Sequence, residues 1–180
     1  MIYVFFANGF EEVEALTQVD MLRRCELEVK TVGIPSRMVK GAHGITVVCD
    51  ILPEEMDFNK IDGIVLPGGM PGTLNLEQSA DVQSAIDYCI GNDKIIGAIC
   101  AAPSILGHRG LLNGKKAVCF PGFENELGDA LYTDLPTVRD GNIITSKGAG
   151  TAFQFAFMLA EAFTDKHSAD HLKAGVQWCD

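Results

Sequence analysis

The stretch Ile95-Ile96-Gly97-Ala98-Ile99-Cys100-Ala101-Ala102-Pro103-Ser104-Ile105-Leu106 decides the fold. Its first five residues read as a buried strand, and Pro103, near the first turn of the segment that follows, reads as a helix start. Cys100 stands between the two, so a thiol is predicted at a strand-to-helix turn. Such a turn lifts one side chain out of the carboxyl edge of a sheet. The helix N-terminus beside it, with unpaired N–H groups and a positive dipole end, favours negative charge at that place. This is how an α/β protein displays a nucleophile.

Outward from this turn the chain alternates short apolar runs with amphipathic segments. Towards the N-terminus, Ile2–Ala7 reads as a first strand that leads through Asn8-Gly9-Phe10 into a helix over about 11–24, where Ala15, Val19 and Leu22 recur at helical spacing. Leu27–Val32 reads as a second strand and Ile45–Cys49 as an excursion strand. Asp62–Leu66 re-enters the sheet, followed by the loop Pro67-Gly68-Gly69-Met70-Pro71-Gly72 and a helix over about 80–90. Beyond the Cys100 turn, strands are predicted at Lys116–Phe120 and Ile143–Ser146, with helices near 151–163 and 168–176. Apolar strands separated by helices imply a mostly parallel sheet covered on both faces, with functional residues at the strands' carboxyl ends.

At 180 residues and 47% hydrophobic, with no linker-like stretch, the sequence 1–180 reads as one domain. The formal net charge is -10 and the 14 Lys and Arg residues are scattered, which argues against a nucleic-acid groove. Ile2–Ala7 lacks a basic segment before it and fits a buried strand better than a signal peptide; no other segment reads as a membrane span. The six cysteines form no CxxC pair and have no dense His/Cys neighbourhood, so neither a metal site nor a disulfide framework is expected, and reduced thiols in the cytoplasm are the simplest reading.

Three strand ends carry unusual chemistry. Gly68-Gly69 leaves backbone N–H groups uncovered and able to donate to an oxyanion, although ordinary loop statistics favour a plain turn. Gly148-Ala149-Gly150-Thr151 is ambiguous in the same way and reads mainly as structure, with Thr151 as a helix N-cap. Glu11, Glu12 and Glu14 open the first helix, where the dipole favours carboxylates by roughly 0.3–1 kcal/mol each at exposed sites. That explains one or two acids without demanding three, and this helix start lies beside the same sheet edge as Cys100. A protonated, partly buried glutamic acid would donate to a Cys100 thiolate, whereas an ionised one would raise the thiol's pKa, so the pair is expected to share charge rather than ionise together.

Ala7-Asn8-Gly9-Phe10-Glu11-Glu12-Val13-Glu14-Ala15, Val65-Leu66-Pro67-Gly68-Gly69, Ala98-Ile99-Cys100-Ala101-Ala102-Pro103 and Thr145-Ser146-Lys147-Gly148-Ala149-Gly150-Thr151 together resemble the ThiJ/PfpI superfamily. Within it they are similar to the branch of the Parkinson disease protein and bacterial YajL. The resemblance implies a flavodoxin-like three-layer sandwich. It also implies Cys100 as the reactive cysteine, Glu14 as its hydrogen-bonding acid, and Gly69 and Ala101 as N–H donors to a bound oxygen. It implies a homodimer with Asp20 near the two-fold axis, and cofactor-free glyoxalase or deglycase activity. Substrates would be small reactive aldehydes, or glycated protein or nucleotide groups. Sulfinic oxidation of the cysteine and chaperone-like protection are also associated with the family, which makes a redox sensor the alternative reading.

Two departures narrow the expectation. Peptidase-like relatives have a histidine directly after the cysteine, but this chain has Ala101, which disfavours proteolysis. Where the Parkinson disease protein brings a histidine to the site, this chain has Phe120-Pro121, an arrangement shared with YajL. Of the four histidines, only His43, in the excursion loop, is placed to join a pocket with Gly68, Phe120 and Pro121, and a surface-loop role competes with that reading. His108 should point away from Cys100, and His167 and His171 should be solvated.

Overall fold

The computed structural model describes residues 1–179. In chain order the elements are β1 (Ile2–Ala7), α1 (Glu12–Arg24), β2 (Val29–Ile34), β3 (Met38–Lys40), β4 (Thr46–Val48), β5 (Gly63–Leu66), α2 (Gly72–Glu77), α3 (Ala80–Gly91), β6 (Ile95–Ile99), α4 (Pro103–His108), β7 (Lys116–Ala117), β8 (Leu131–Tyr132), β9 (Thr137–Asp140), β10 (Ile143–Ser146), α5 (Ala152–Phe163) and α6 (Lys166–Gly175).

The continuous apolar run of β1 is buried from end to end because helices cover both its faces. Tyr3, Phe5 and Ala7 face a core layer that includes Ile86 of α3 and Leu106 of α4. Ile2, Val4 and Phe6 face the other layer, with Leu22 of α1, Phe155 of α5 and Leu172 of α6. Each large apolar side chain withdrawn from water contributes about 1.5–3 kcal/mol, so these layers dominate the favourable side of folding. The sheet order is β2-β1-β5-β6-β10-β9. Its first five strands run parallel and β9 closes one edge antiparallel to β10. This is the expected three-layer α/β fold, and it gathers the carboxyl ends of β1, β5, β6 and β10 along one edge.

Four local expectations change. The second strand begins at Val29 rather than Leu27, because the Leu27 N–H closes the end of α1 on the Leu22 carbonyl (3.4 Å). The strand expected over 116–120 is two residues long and pairs with β8 outside the main sheet. Beyond it the Val118 N–H donates to the Thr145 hydroxyl (3.0 Å), a side-chain bond where a ladder bond would continue a strand. Strand β9 was not expected; Gly141 at φ +62° supplies the tight reversal between it and β10. Thr151 occupies the residue before α5 without capping it by its side chain. Its hydroxyl instead closes on Gly148. Among the described residues no helix is long and apolar enough to cross a membrane.

Candidate active site

Cys100 sits at φ +65°, a left-handed conformation that costs an L-residue roughly 1–2 kcal/mol. Its neighbours hold it there: the Cys100 N–H donates to the Ser146 carbonyl (2.9 Å) and the Phe120 N–H donates to the Cys100 carbonyl (2.8 Å). Two such bonds, each worth about 0.5–1.5 kcal/mol net, are enough to offset the strain. The elbow turns the sulfur, partly exposed, towards the start of α1. There Cys100 and Glu14 share a side-chain hydrogen bond, and the Gly69 and Ala101 N–H groups also donate to the sulfur.

Glu14 is 1% exposed. Its Oε2 accepts the Gly68 N–H at 3.0 Å, and the Ala149 N–H donates to the same carboxyl group. Gly68 makes this convergence possible: a Cβ there would stand 2.5 Å from the Cys100 Cβ and 2.6 Å from Glu14 Oε2. Phe120, half exposed, lies against Gly148 at the rim, next to Glu14.

Burial pushes the Glu14 carboxyl up to about 7, with the Glu11 charge adding to the rise and hydrogen bonds from Cys100, Gly68 and Ala149 opposing it. Burial also pushes the Cys100 thiol up to about 12; the Glu14 charge and hydrogen bond push the same way, and the two N–H donors oppose. Beside an ionised Glu14 the thiol keeps its proton, so charge reaches the sulfur only when Glu14 carries the proton. Between about 7 and about 12 the two groups hold one proton between them.

The three acids of the helix start divide the work. Glu11 is the N-cap, its Oε2 accepting the Glu14 N–H at 2.7 Å. Glu12 turns to the loop between β3 and β4, accepting the His43 N–H (2.7 Å) on Oε1 and meeting His43 Nδ1 (2.9 Å) at Oε2. His43 is therefore not brought to the sulfur: its exposed ring is engaged by Glu12, with Glu11 3.8 Å away. These three side chains are the one group among the described residues with metal-ligating atoms so close, within 4.8 Å. Pro121 is exposed beside Phe120. Asp20 is exposed on α1 and pairs with Arg24 at 3.1 Å. His108 bridges Glu77 (2.5 Å) and Glu126 (2.7 Å), away from the thiol as expected. The contribution missed from sequence is the Ala149 N–H; the third glycine-bearing strand end, read as structure, was the available signal.

A thiol on a strained elbow, paired with a buried acid beneath backbone donors from two loops, has the sequence counterpart that the comparisons find. The model of the DJ-1/PfpI family matches residues 1–162. The chain belongs to this family. It is 33% identical over 176 residues to Protein dj-1beta of Drosophila melanogaster, covering 96% of this chain and 94% of that one. It is 35% identical over 164 residues to Protein DJ-1 homolog B of Arabidopsis thaliana, covering 90% of this chain but spanning 37% of that longer protein. The structure of oxidized DJ-1 from Toxoplasma gondii superposes with a TM-score of 0.94 at 31% identity, covering 99% of this chain and 98% of that one. Two further relatives, each 30% identical, bear activity names: a glutathione-independent glyoxalase of Caenorhabditis elegans (90% of this chain, 87% of that protein) and a deglycase of Pyrococcus abyssi (84% and 92%).

Proposed function

We propose that this protein is a cofactor-free glyoxalase or deglycase that uses Cys100 and Glu14 on methylglyoxal, glyoxal or early glycation adducts, in defence against carbonyl and oxidative stress. The observation that carries the reading is the hydrogen-bonded Cys100–Glu14 pair, raised together by burial and ringed by the Gly69 and Ala101 N–H groups. The sulfur adds to the aldehyde carbon while Glu14 takes the thiol proton, giving a hemithioacetal. The Gly69 and Ala101 N–H groups receive the developing oxyanion. Glu14, poised near 7, returns that proton to the oxyanion and, ionised again, moves a proton from the hemithioacetal carbon to the neighbouring carbonyl carbon, while the hydroxyl proton passes to the former carbonyl oxygen. The resulting thioester is cleaved by water to the hydroxy acid, lactate from methylglyoxal, and the thiol is restored. Ala101, where a histidine would serve as a peptidase's base, argues against proteolysis.

The same reading has the chain act in the cytoplasm with reduced cysteines. It also has the chain act as a homodimer about α1, where Val13 and Leu16 expose apolar surface along with Asp20. Replacing Cys100 with Ser is expected to take methylglyoxal turnover to the uncatalysed background; turnover within tenfold of wild type would refute the assignment. A second reading, a sensor or chaperone switched by oxidation of the same thiol, is favoured by the partial exposure of Cys100 and by the oxidised state of the Toxoplasma relative. Stoichiometric sulfinate at Cys100 after mild peroxide, without aldehyde turnover, would select it.

A further inference from the structure

Behind the Cys100–Glu14 pair three hydroxyls lie in series. Thr137, on edge strand β9, meets Ser146 at the end of β10 (Oγ1 to Oγ, 3.0 Å), and Ser146 meets Thr151 (2.7 Å). The first two residues are buried. Thr151 closes the series on one residue, holding the peptide units on both sides of it: its Oγ1 accepts the Gly148 N–H at 3.1 Å and donates to the Gly148 carbonyl, which shares its peptide with the Ala149 N–H, at 2.9 Å. The next residue, Ala149, presents its N–H to the Glu14 carboxyl, whose Oε1 lies close enough to this turn that a Cβ on Gly148 would stand 3.6 Å from it. Ser146 thus touches both halves of the pair. Its carbonyl holds the strained Cys100 amide (2.9 Å), and its hydroxyl holds the residue that brackets the Gly148–Ala149 turn.

We propose that Thr151 is a positioning residue for the candidate reaction: anchored by Ser146, its hydroxyl fixes the Gly148 peptide so that the Ala149 N–H stays on the Glu14 carboxyl. The turn has no side chain of its own to do this, since residues 148–150 are Gly, Ala and Gly. The bond matters because an N–H donor to a buried carboxylate favours its charged form. Without Thr151's hold, the Ala149 N–H drifts off and Glu14 keeps its proton to higher pH. The titratable groups that bear on Glu14 are Cys100 from the elbow and Glu11 from the start of its own helix, and substitution at Thr151 changes neither.

This rests on the paired reading of Cys100 and Glu14, so the test reads the pair directly: the pH dependence of Cys100 alkylation by iodoacetamide, resolved by peptide mass. The midpoint of the lower ionisation step is expected to rise by about one pH unit in Thr151→Val and to return to the wild-type position in Thr151→Ser. Should Thr151→Val fail to fold, Thr137→Val, which removes only the far hydroxyl, is expected to move the midpoint in the same direction by less. A wild-type midpoint in a folded Thr151→Val, or in a folded Thr137→Val if that is the variant read, overturns the inference and leaves the pair intact. A wild-type profile unchanged by Glu14→Gln overturns the pair itself.

Discussion

The two sides of α1's first turn hold carboxylates in opposite states. Glu12 and Glu14 are both buried, at 5% and 1% exposure, and stand only two residues apart. Burial raises both. On the hairpin side it is outweighed by four donors, the His43 ring, the His43 N–H, Glu12's own N–H and the Ile45 N–H, and Glu12 ends below the ordinary carboxylate value. On the thiol side fewer donors oppose burial, the Glu11 charge reinforces it, and Glu14 ends near 7. Burial is therefore common to a structural acid and a candidate catalytic one. What separates them is the number and charge of donors aimed at each.

The contrast is broken most severely by removing the acid on the thiol side. Glu14→Gln is expected to lower aldehyde turnover by at least about 100-fold, the usual scale of lost proton transfer, with the fold retained by circular dichroism. Gly68→Ala should come close to that loss by a steric route, since the new methyl group would displace either the Cys100 Cβ or the Glu14 carboxylate; turnover near wild type would mean that the two need not touch. On the hairpin side the pattern inverts. Glu12→Gln should leave turnover within about threefold of wild type while costing about 1–3 kcal/mol in urea denaturation, because charge-assisted bonds to the β3–β4 loop are weakened.

The pH dependence of stability sharpens the same contrast. Glu14 is raised from 4.5 to about 7, so the folded state binds more protons than the unfolded one between those values. Stability from this group is complete below about 4.5 and is lost as pH rises through 7, a change of about 3 kcal/mol. Glu14→Gln should flatten that limb. Glu12, being lowered, acts in the reverse sense: its contribution is present above 4.5 and is lost as acid titrates the folded carboxylate. His43 is raised by Glu12, so the smallest expected effect is a slight fall in melting temperature for His43→Gln at pH 5 that disappears by pH 9.

Helix geometry explains how much of this was legible. Strands β1 and β6 and the elbow could be read directly, because unbroken apolar runs and Pro103 at the start of α4 leave few alternatives. Residues two apart on a helix point about 200° away from each other, which is why Glu12 and Glu14 serve different partners. Choosing between them needed the family motif, since the apposition of Gly68 and Cys100 is a contact between separate strand ends. Strand β9 escaped notice because Thr137–Asp140 is short and half polar, although Gly141 marked the turn after it. Of the two roles open to His43, the surface-loop one holds, and what the chain could not show is its partner, because the buried acid that receives it lies 31 residues away in the chain.

The most direct test follows thiolate absorbance at Cys100 against pH in wild type and in Glu14→Gln, with the other cysteines replaced. In wild type, full ionisation of both groups is expected only near pH 12, and the neutral amide should bring sulfur ionisation to clearly lower pH. Coincident curves in the two proteins, with the thiol titrating as an unperturbed cysteine in each, would contradict the shared proton on which the account depends.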